Sequence, residues 1–306
     1  MLHDGAVIAE HYAPGFGPEQ HFQSFSMAKS LMALAIGAAI TEGIMADERR
    51  PLSAFLPEAG ALGSVPLSAF LTMSAGLERP PPGDPRSRRL IAGPDIRGAA
   101  LSLRPVAPPG RRFVYDNAAS QIAGEALQAA LARRGFGAYA RYLSERIWCP
   151  IGAAPAALWV EAPGRPRFAI GVNATVRDWA RVGQLILDGG RAGGRRVVSR
   201  AFLARMTAPS PANPIYGYQI WRGSPHVAAR DYGGGLDLVV RRAEPFRADD
   251  VLFFDGFGGQ RVYIVPSARL VIARAGEIDA AFDDSALVNI VLDGLAARRA
   301  ETAAKP

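Results

Sequence analysis

Phe25-Ser26-Met27-Ala28-Lys29-Ser30-Leu31-Met32-Ala33-Leu34-Ala35-Ile36-Gly37-Ala38-Ala39-Ile40 is apolar on nearly every face of the helix it would form. Such a run predicts a helix from Ser26 to about Glu42 that lies in the middle of the protein. Ser26 and Lys29 are three residues apart and therefore share one helix face. A serine hydroxyl is a poor nucleophile until a base takes its proton. Lysine, with an ordinary pKa near ~10.4, is such a base only where burial or cationic neighbours lower that value. The apolar helix supplies burial, and its positive end favours a developing oxyanion at Ser26.

Working outward, the composition singles out the same lysine. Lys29 and Lys305 are the only lysines in 306 residues, although the chain carries 35 Lys plus Arg. A GC-rich genome explains a general bias to arginine, alanine, glycine and proline. The exception at Lys29 matters because arginine does not release its proton near neutral pH whereas a desolvated lysine does. The formal charge of +7 is spread from end to end without a basic run, so it reads as a basic surface and not as nucleic-acid binding.

A hydrophobic fraction of 49% suits a globular chain with one large core or two smaller ones. The single cysteine, Cys149, excludes an internal disulfide framework and a cysteine-rich zinc site, and its apolar helix-end surroundings predict a packed thiol. The run Leu31 to Ile40 is too short to span a bilayer. Asp4 and Glu10 interrupt the first apolar stretch, so no signal peptide is read and a cytoplasmic location is expected. A chain that enters a strand this early is also compatible with a missing upstream leader.

The expected architecture is α+β: an antiparallel sheet flanked by helices, with a mainly helical insertion. Strands are predicted at Gly5 to Tyr12, Tyr216 to Trp221, Leu236 to Arg241, Val251 to Phe254, Arg261 to Val265 and Leu270 to Arg274. An extended, turn-rich stretch with a proline cluster at Pro80 to Pro85 runs up to Pro109. Helices are predicted at Ala118 to Arg133 with Asn117 as N-cap, at Tyr139 to Trp148, and from Thr175 with a capping-box variant through Asp178 to Leu187. Further helices are expected at Ser199 to Met206 and from about Asp283 to Arg298. The chain then divides into a discontinuous sheet domain, 1–43 and 171–306, and a helical domain, 44–170, with an active site between them.

Two further elements accompany the Ser-Lys pair. Tyr115-Asp116-Asn117, on a turn before a helix, offers a phenol for proton relay and an amide for holding substrate or lysine; a core tyrosine followed by an N-cap is the structural account of the same residues. Asp255-Gly256-Phe257-Gly258-Gly259-Gln260 lies between two apolar strands. Its glycines allow a backbone to approach a ligand, and the N–H of Phe257 can pair with that of Ser26 as oxyanion donors. A plain glycine hairpin is the alternative there, as an N-cap and a surface cation are for Ser26 and Lys29.

Taken together, Phe25 to Ser30, Leu71 to Leu77, Tyr115-Asp116-Asn117, Tyr142 through Gly152, Arg177 to Arg181 and Gly256 through Pro266 resemble the serine beta-lactamase and penicillin-binding-protein superfamily. The resemblance is nearest to its family VIII esterase and 6-aminohexanoate-dimer hydrolase branch and covers nearly the whole chain. It implies a beta-lactamase/transpeptidase-like fold, Ser26 as acylated nucleophile, Lys29 as proton acceptor and Tyr115 as relay. It further implies that Asn117 orients Lys29 or substrate and that Ser26 and Phe257 N–H form the oxyanion hole with Gly256 beside it, and it implies no metal or organic cofactor.

Beta-lactamases usually carry a lysine or histidine where Asp255 stands, a cation that binds the substrate carboxylate. An aspartate there is expected to repel it, which favours small esters or linear amides over beta-lactams and D-amino-acid peptides. A catalytically silent binding or sensor module of the same fold is the third reading. No Gly-x-Ser-x-Gly elbow is present. His3, His11 and His21 crowd the first strand region, which leaves His226 as the one histidine elsewhere; all four read as surface or loop. Asp283-Asp284 reads as a helix N-cap. The expected partner is a small-molecule ester or amide.

Overall fold

In the computed structural model, which describes residues 1–81, 83–161, 164–232, 239–279 and 281–303, the opening run is helix α1, Met27–Thr41, with Ser26 at its N-cap. Residues 27 to 39 are all buried, Lys29 among them. A helix without a polar face needs neighbours on every side. The neighbours come from both halves of the chain, and the further helices are α2 (Leu67–Leu71), α3 (Pro85–Ala92), α4 (Ile96–Leu101), α5 (Asn117–Arg133), α6 (Tyr139–Leu143), α7 (Val176–Leu187), α8 (Arg200–Thr207) and α9 (Asp284–Ala303). Helices α5 and α8 pack on α1, as do two central strands of the main sheet.

The strands are β1 (Leu2–His3), β2 (Ala6–Val7), β3 (His21–Gln23), β4 (Ala157–Leu158), β5 (Val172–Thr175), β6 (Trp221–Arg222), β7 (Ala229–Asp231), β8 (Val239–Arg241), β9 (Leu252–Gly256), β10 (Gln260–Val265) and β11 (Leu270–Arg274), besides two isolated two-residue pairs, Val160–Glu161 with Arg165–Pro166 and Arg191–Ala192 with Arg195–Arg196. The main sheet runs β6-β9-β10-β11-β1-β2 and is antiparallel throughout. Every residue of β9 and β10 is buried, so both faces of the sheet centre are covered. One cover is α7, whose Gly183 lets the helix settle against Val262, Ile264 and Val271; a Cβ there would come within 2.8 Å of Val271. A small second sheet, β3-β5-β4, brackets the entry to α1.

Several local expectations change. The segment Gly5 to Tyr12 is not one strand. Asp4 and Gly5 both take positive φ, 49° and 80°, and close a β1–β2 hairpin, the two-residue turn that Asp-Gly favours. The proline-rich region is not merely extended, because Pro85 opens α3 and Asp84 caps it by accepting from Arg86 N–H; proline suits the first helical position. Asp116, not Asn117, caps α5, its carboxylate accepting from Ala119 N–H at 2.6 Å. Thr175 caps α7 and exchanges hydrogen bonds with Asp178 as expected.

The strand expected at Tyr216 to Trp221 shrinks to β6, since Gln219 takes a positive φ of 55° and Tyr216 bridges back to Trp221. Of Leu236 to Arg241, Val239–Arg241 is strand and the rest lies outside the described residues, as does Lys305. Cys149 is exposed and not packed. Among the described residues no helix is long and apolar enough to cross a membrane.

Candidate active site

Phe25, just before the nucleophile candidate, sits at φ 47°. A bulky residue in the left-handed region is held there only by its surroundings. The kink starts α1 with Ser26 at an N-cap whose side chain caps nothing. Its hydroxyl is thus left for Lys29, whose Nζ lies 2.8 Å away. Lys29 also reaches Asn117 Oδ1 at 2.8 Å and the carbonyl of Ala169 at 2.9 Å.

Burial lowers the Lys29 pKa to about 7, with Asp116 and then Asp255 pulling it back up. An ammonium donates to all three oxygens. A neutral amine has only two N–H groups and one lone pair. The Ala169 carbonyl and Asn117 Oδ1 have no proton to give, so they hold the two N–H groups. The lone pair then faces Ser26 Oγ–H, the arrangement required to remove its proton.

Tyr115 supplies the second proton-carrying group. Its ring lies 5.1 Å from Lys29 Nζ and is walled by Trp221 at 5.9 Å, Tyr232 at 5.0 Å and Tyr216 at 6.2 Å between centroids. Desolvation, followed by the negative charge of Asp255, pushes the phenol well above the usual tyrosine range, while a hydrogen bond with Ser26 acts the other way. At neutral pH it is a donor. Its backbone N–H is fixed to the carbonyl of Tyr232 at 2.8 Å.

Gly256, Phe257 and Asp255 lie at the end of β9. A Cβ on Gly256 would stand 2.4 Å from the Ser24 carbonyl, so glycine is what lets this strand end touch the segment leading into α1. The rings of Phe25 and Phe257 meet edge to face at 5.8 Å across the same junction. Neither the Ser26 nor the Phe257 N–H donates to a backbone carbonyl in the turns and loops of the described residues.

Asp255 does not stand as the free repelling carboxylate expected from sequence. It is 6% exposed, and its oxygens meet Arg230 Nη1 at 2.9 Å, Arg261 Nη1 at 2.5 Å and the Tyr232 hydroxyl at 2.6 Å. Both arginines also pair with buried Asp284, at 2.8 and 2.7 Å. Two carboxylates and two guanidiniums cancel in charge, and the arginines together outweigh the desolvation that would raise the Asp255 carboxyl, so it stays below its ordinary value. Asp284 is therefore an ion-pair partner, while Asp283 accepts from Ser285 N–H at the start of α9.

Sequence reasoning missed Arg230, Arg261, Tyr232, Asp284 and the Ala169 carbonyl. Only Arg261 carried a local signal, being cross-strand from Asp255 in the β9–β10 hairpin.

A family model described as Beta-lactamase matches residues 1–285. The 6-aminohexanoate-dimer hydrolase of Paenarthrobacter ureafaciens is 29% identical over 225 residues, which cover 68% of this chain and 56% of that protein. The match thus spans little more than half the length of that curated relative. Among solved structures, a Bacillus anthracis protein provisionally assigned as a 6-aminohexanoate-dimer hydrolase is 22% identical with a TM-score of 0.72, covering 99% of this chain and 78% of its own. A provisionally assigned beta-lactamase from Bacteroides dorei is 20% identical at TM-score 0.70, covering 97% and 91%. A family VIII carboxylesterase is 17% identical at TM-score 0.64, covering 89% and 82%. The fold is beta-lactamase/transpeptidase-like.

Proposed function

The chain belongs to the beta-lactamase family, and from that premise we propose that it is a serine hydrolase working through an acyl-enzyme on Ser26, with small carboxylic esters or linear amides as substrates. The observation that carries this reading is the buried Lys29, with a pKa of about 7 and held so that its lone pair faces Ser26 Oγ. A base with a pKa near the working pH combines a useful neutral fraction with useful proton affinity.

The contacts of Ser26, Lys29 and Tyr115 support the following steps. Ser26 Oγ attacks the carbonyl carbon as its proton passes to Lys29 Nζ, and the carbonyl π pair moves onto oxygen. The resulting oxyanion is received by the N–H groups of Ser26 and Phe257. When it collapses, the C–O or C–N bond breaks and the Tyr115 phenol protonates the leaving group; Lys29 returns a proton to Tyr115. Water then attacks the acyl carbon, gives its proton to the same Tyr115–Lys29 pair, and Ser26 leaves reprotonated. Ser26, Lys29 and Phe257 come from segments 1–43 and 171–306, and Tyr115 and Asn117 from 44–170. The reading therefore sets catalysis at the junction of a sheet domain and a helical domain.

Substrate choice rests on Asp255. Paired with Arg230 and Arg261, it offers neither a free anion nor a free cation to a substrate carboxylate. A neutral acyl group suits such a wall. The same cancellation removes the repulsion that counted against beta-lactams, so they remain the second reading, tested by nitrocefin turnover.

The direct experiment is mass spectrometry after treatment with a fluorophosphonate, alongside p-nitrophenyl butyrate turnover. The adduct is expected on Ser26, and Ser26→Ala is expected to abolish turnover. Undiminished turnover by Ser26→Ala would overturn the proposal, and labelling of Ser26 without turnover of any ester, amide or beta-lactam would favour the silent module.

A further inference from the structure

Arg261 does something a buried ion-pair partner need not do. Besides Asp255 and Asp284, its guanidinium Nη1 donates to the carbonyl of Gly256 at 2.6 Å and to that of Gln260 at 2.9 Å. The Gly256 carbonyl belongs to the same peptide unit as the Phe257 N–H. A trans peptide is planar, with C=O and N–H pointing in opposite directions. Holding the carbonyl on the buried guanidinium therefore turns the Phe257 N–H away from the cluster, on a strand end packed against the Ser24 carbonyl just before Ser26.

We propose that Arg261 is a positioning residue for the oxyanion hole: its fork, locked by Asp255 and Asp284, orients the Gly256–Phe257 peptide so that the Phe257 N–H is preset for the anionic oxygen formed at Ser26. This rests on the acyl-enzyme reading above.

Three features make this more than hairpin stability. Arg261 is 1% exposed and paired with two carboxylates, so its rotamer is fixed before any substrate arrives. The residue between the guanidinium and the donor is Gly256, which brings no side chain between the strand end and the Ser24–Ser26 segment. And a lysine in place of Arg261 keeps the charge but has one nitrogen, which cannot serve two carboxylates and two carbonyls in fixed directions. Preorganisation of a donor changes affinity for the developing anion more than for the neutral ground state.

The test is Arg261→Lys, with Asp284→Asn as a milder variant that frees the Nε end of the fork. Rates are expressed per site titrated by fluorophosphonate, so misfolded protein does not count. For p-nitrophenyl butyrate, kcat per titrated site is expected to fall about tenfold to a hundredfold, with KM changed less than about threefold. Inhibition by phenylboronic acid, which becomes a tetrahedral anion on Ser26, is expected to weaken in parallel. Ser26 labelled normally with kcat per site and boronate affinity unchanged in both variants would overturn this inference alone. Absence of a Ser26 adduct in the wild type would instead remove the acyl-enzyme reading, and this inference with it.

Discussion

Lys29 Nζ and Asn117 Oδ1 lie 2.8 Å apart, joining the first turn of α1 to the first residue of α5 across 88 positions of sequence. The amide is neutral, so it holds the lysine without stabilising its charge as strongly as a carboxylate would. Asn117→Asp places an anion at that distance and favours the ammonium. The acid limb of the kcat/KM profile is expected to move up by at least about one pH unit. Activity lost at pH 7 and largely recovered at pH 9 is the signature. A uniform loss at all pH values would show that Asn117 does not tune Lys29.

In the wild type, deprotonation of Lys29 predicts that kcat/KM rises with pH through an inflection at about 7. Lys29→Arg keeps a cation but removes the proposed base, because guanidinium does not deprotonate in this range. Its rate is expected to fall at least about a hundredfold without a new optimum below pH 10. A pH–rate comparison of the two proteins decides it; an active arginine variant would place the base elsewhere.

Asp255→Asn tests the electrostatics from the other side. The negative charge of Asp255 raises the pKa of both Lys29 and Tyr115. Other charges facing this pair include Asp116, itself near Arg79, on the Lys29 side and Arg230 and Arg261 on the Tyr115 side. With Asp255 neutralised, the acid limb is expected to shift to lower pH, and KM for an anionic ester is expected to fall relative to a neutral ester as Arg230 and Arg261 lose a counter-ion. An unmoved limb in a folded variant would leave Asp255 a purely structural partner.

The parts of this site that were legible in sequence are those set by local geometry. Ser26 and Lys29 meet because helical spacing puts i and i+3 together, and the burial of Lys29 was readable from an apolar helix around it. The β9–β10 hairpin was readable from apolar runs flanking a glycine cluster. What was not legible depends on where distant segments land. Asp255 looked like a bare anion because Arg230 is 25 residues away and Asp284 lies beyond two more strands. Asn117 reads as the cap from sequence because Asp and Asn are nearly equal in that role, and only the folded backbone assigns the cap to Asp116. The Ala169 carbonyl has no side-chain signature at all.

Gly256→Ala is predicted to damage catalysis more than folding. The added methyl would stand 2.4 Å from the Ser24 carbonyl and 2.8 Å from Gln260 Cβ, so the strand end must withdraw from the start of α1. That withdrawal separates the Phe257 N–H from Ser26, and the expected loss in kcat is about a hundredfold. The melting temperature is expected to drop by only a few degrees, since the hairpin remains paired along β9 and β10. Full activity would mean that the donor to the oxyanion is not at this turn.

Lys29 also links stability to pH in a direction opposite to that of a paired lysine. Folding moves its pKa down from 10.5 to about 7. Between those values the unfolded chain binds the proton and the folded protein does not, so stability rises with pH across that window. Below about 7 both states are protonated, and the folded protein bears the whole cost of a desolvated ammonium, at most roughly 5 kcal/mol for a difference of this size. Lys29→Met keeps the volume, removes the titration, and gives up the bonds to Asn117 and Ala169. Its melting temperature relative to wild type is therefore expected to be most favourable at pH 6 and to decline steadily towards pH 10, in a protein with no hydrolytic activity. Thermal unfolding of both proteins across that range measures the difference directly. A gap that does not change with pH would mean that Lys29 does not lose its proton on folding, and the base would have to be sought elsewhere.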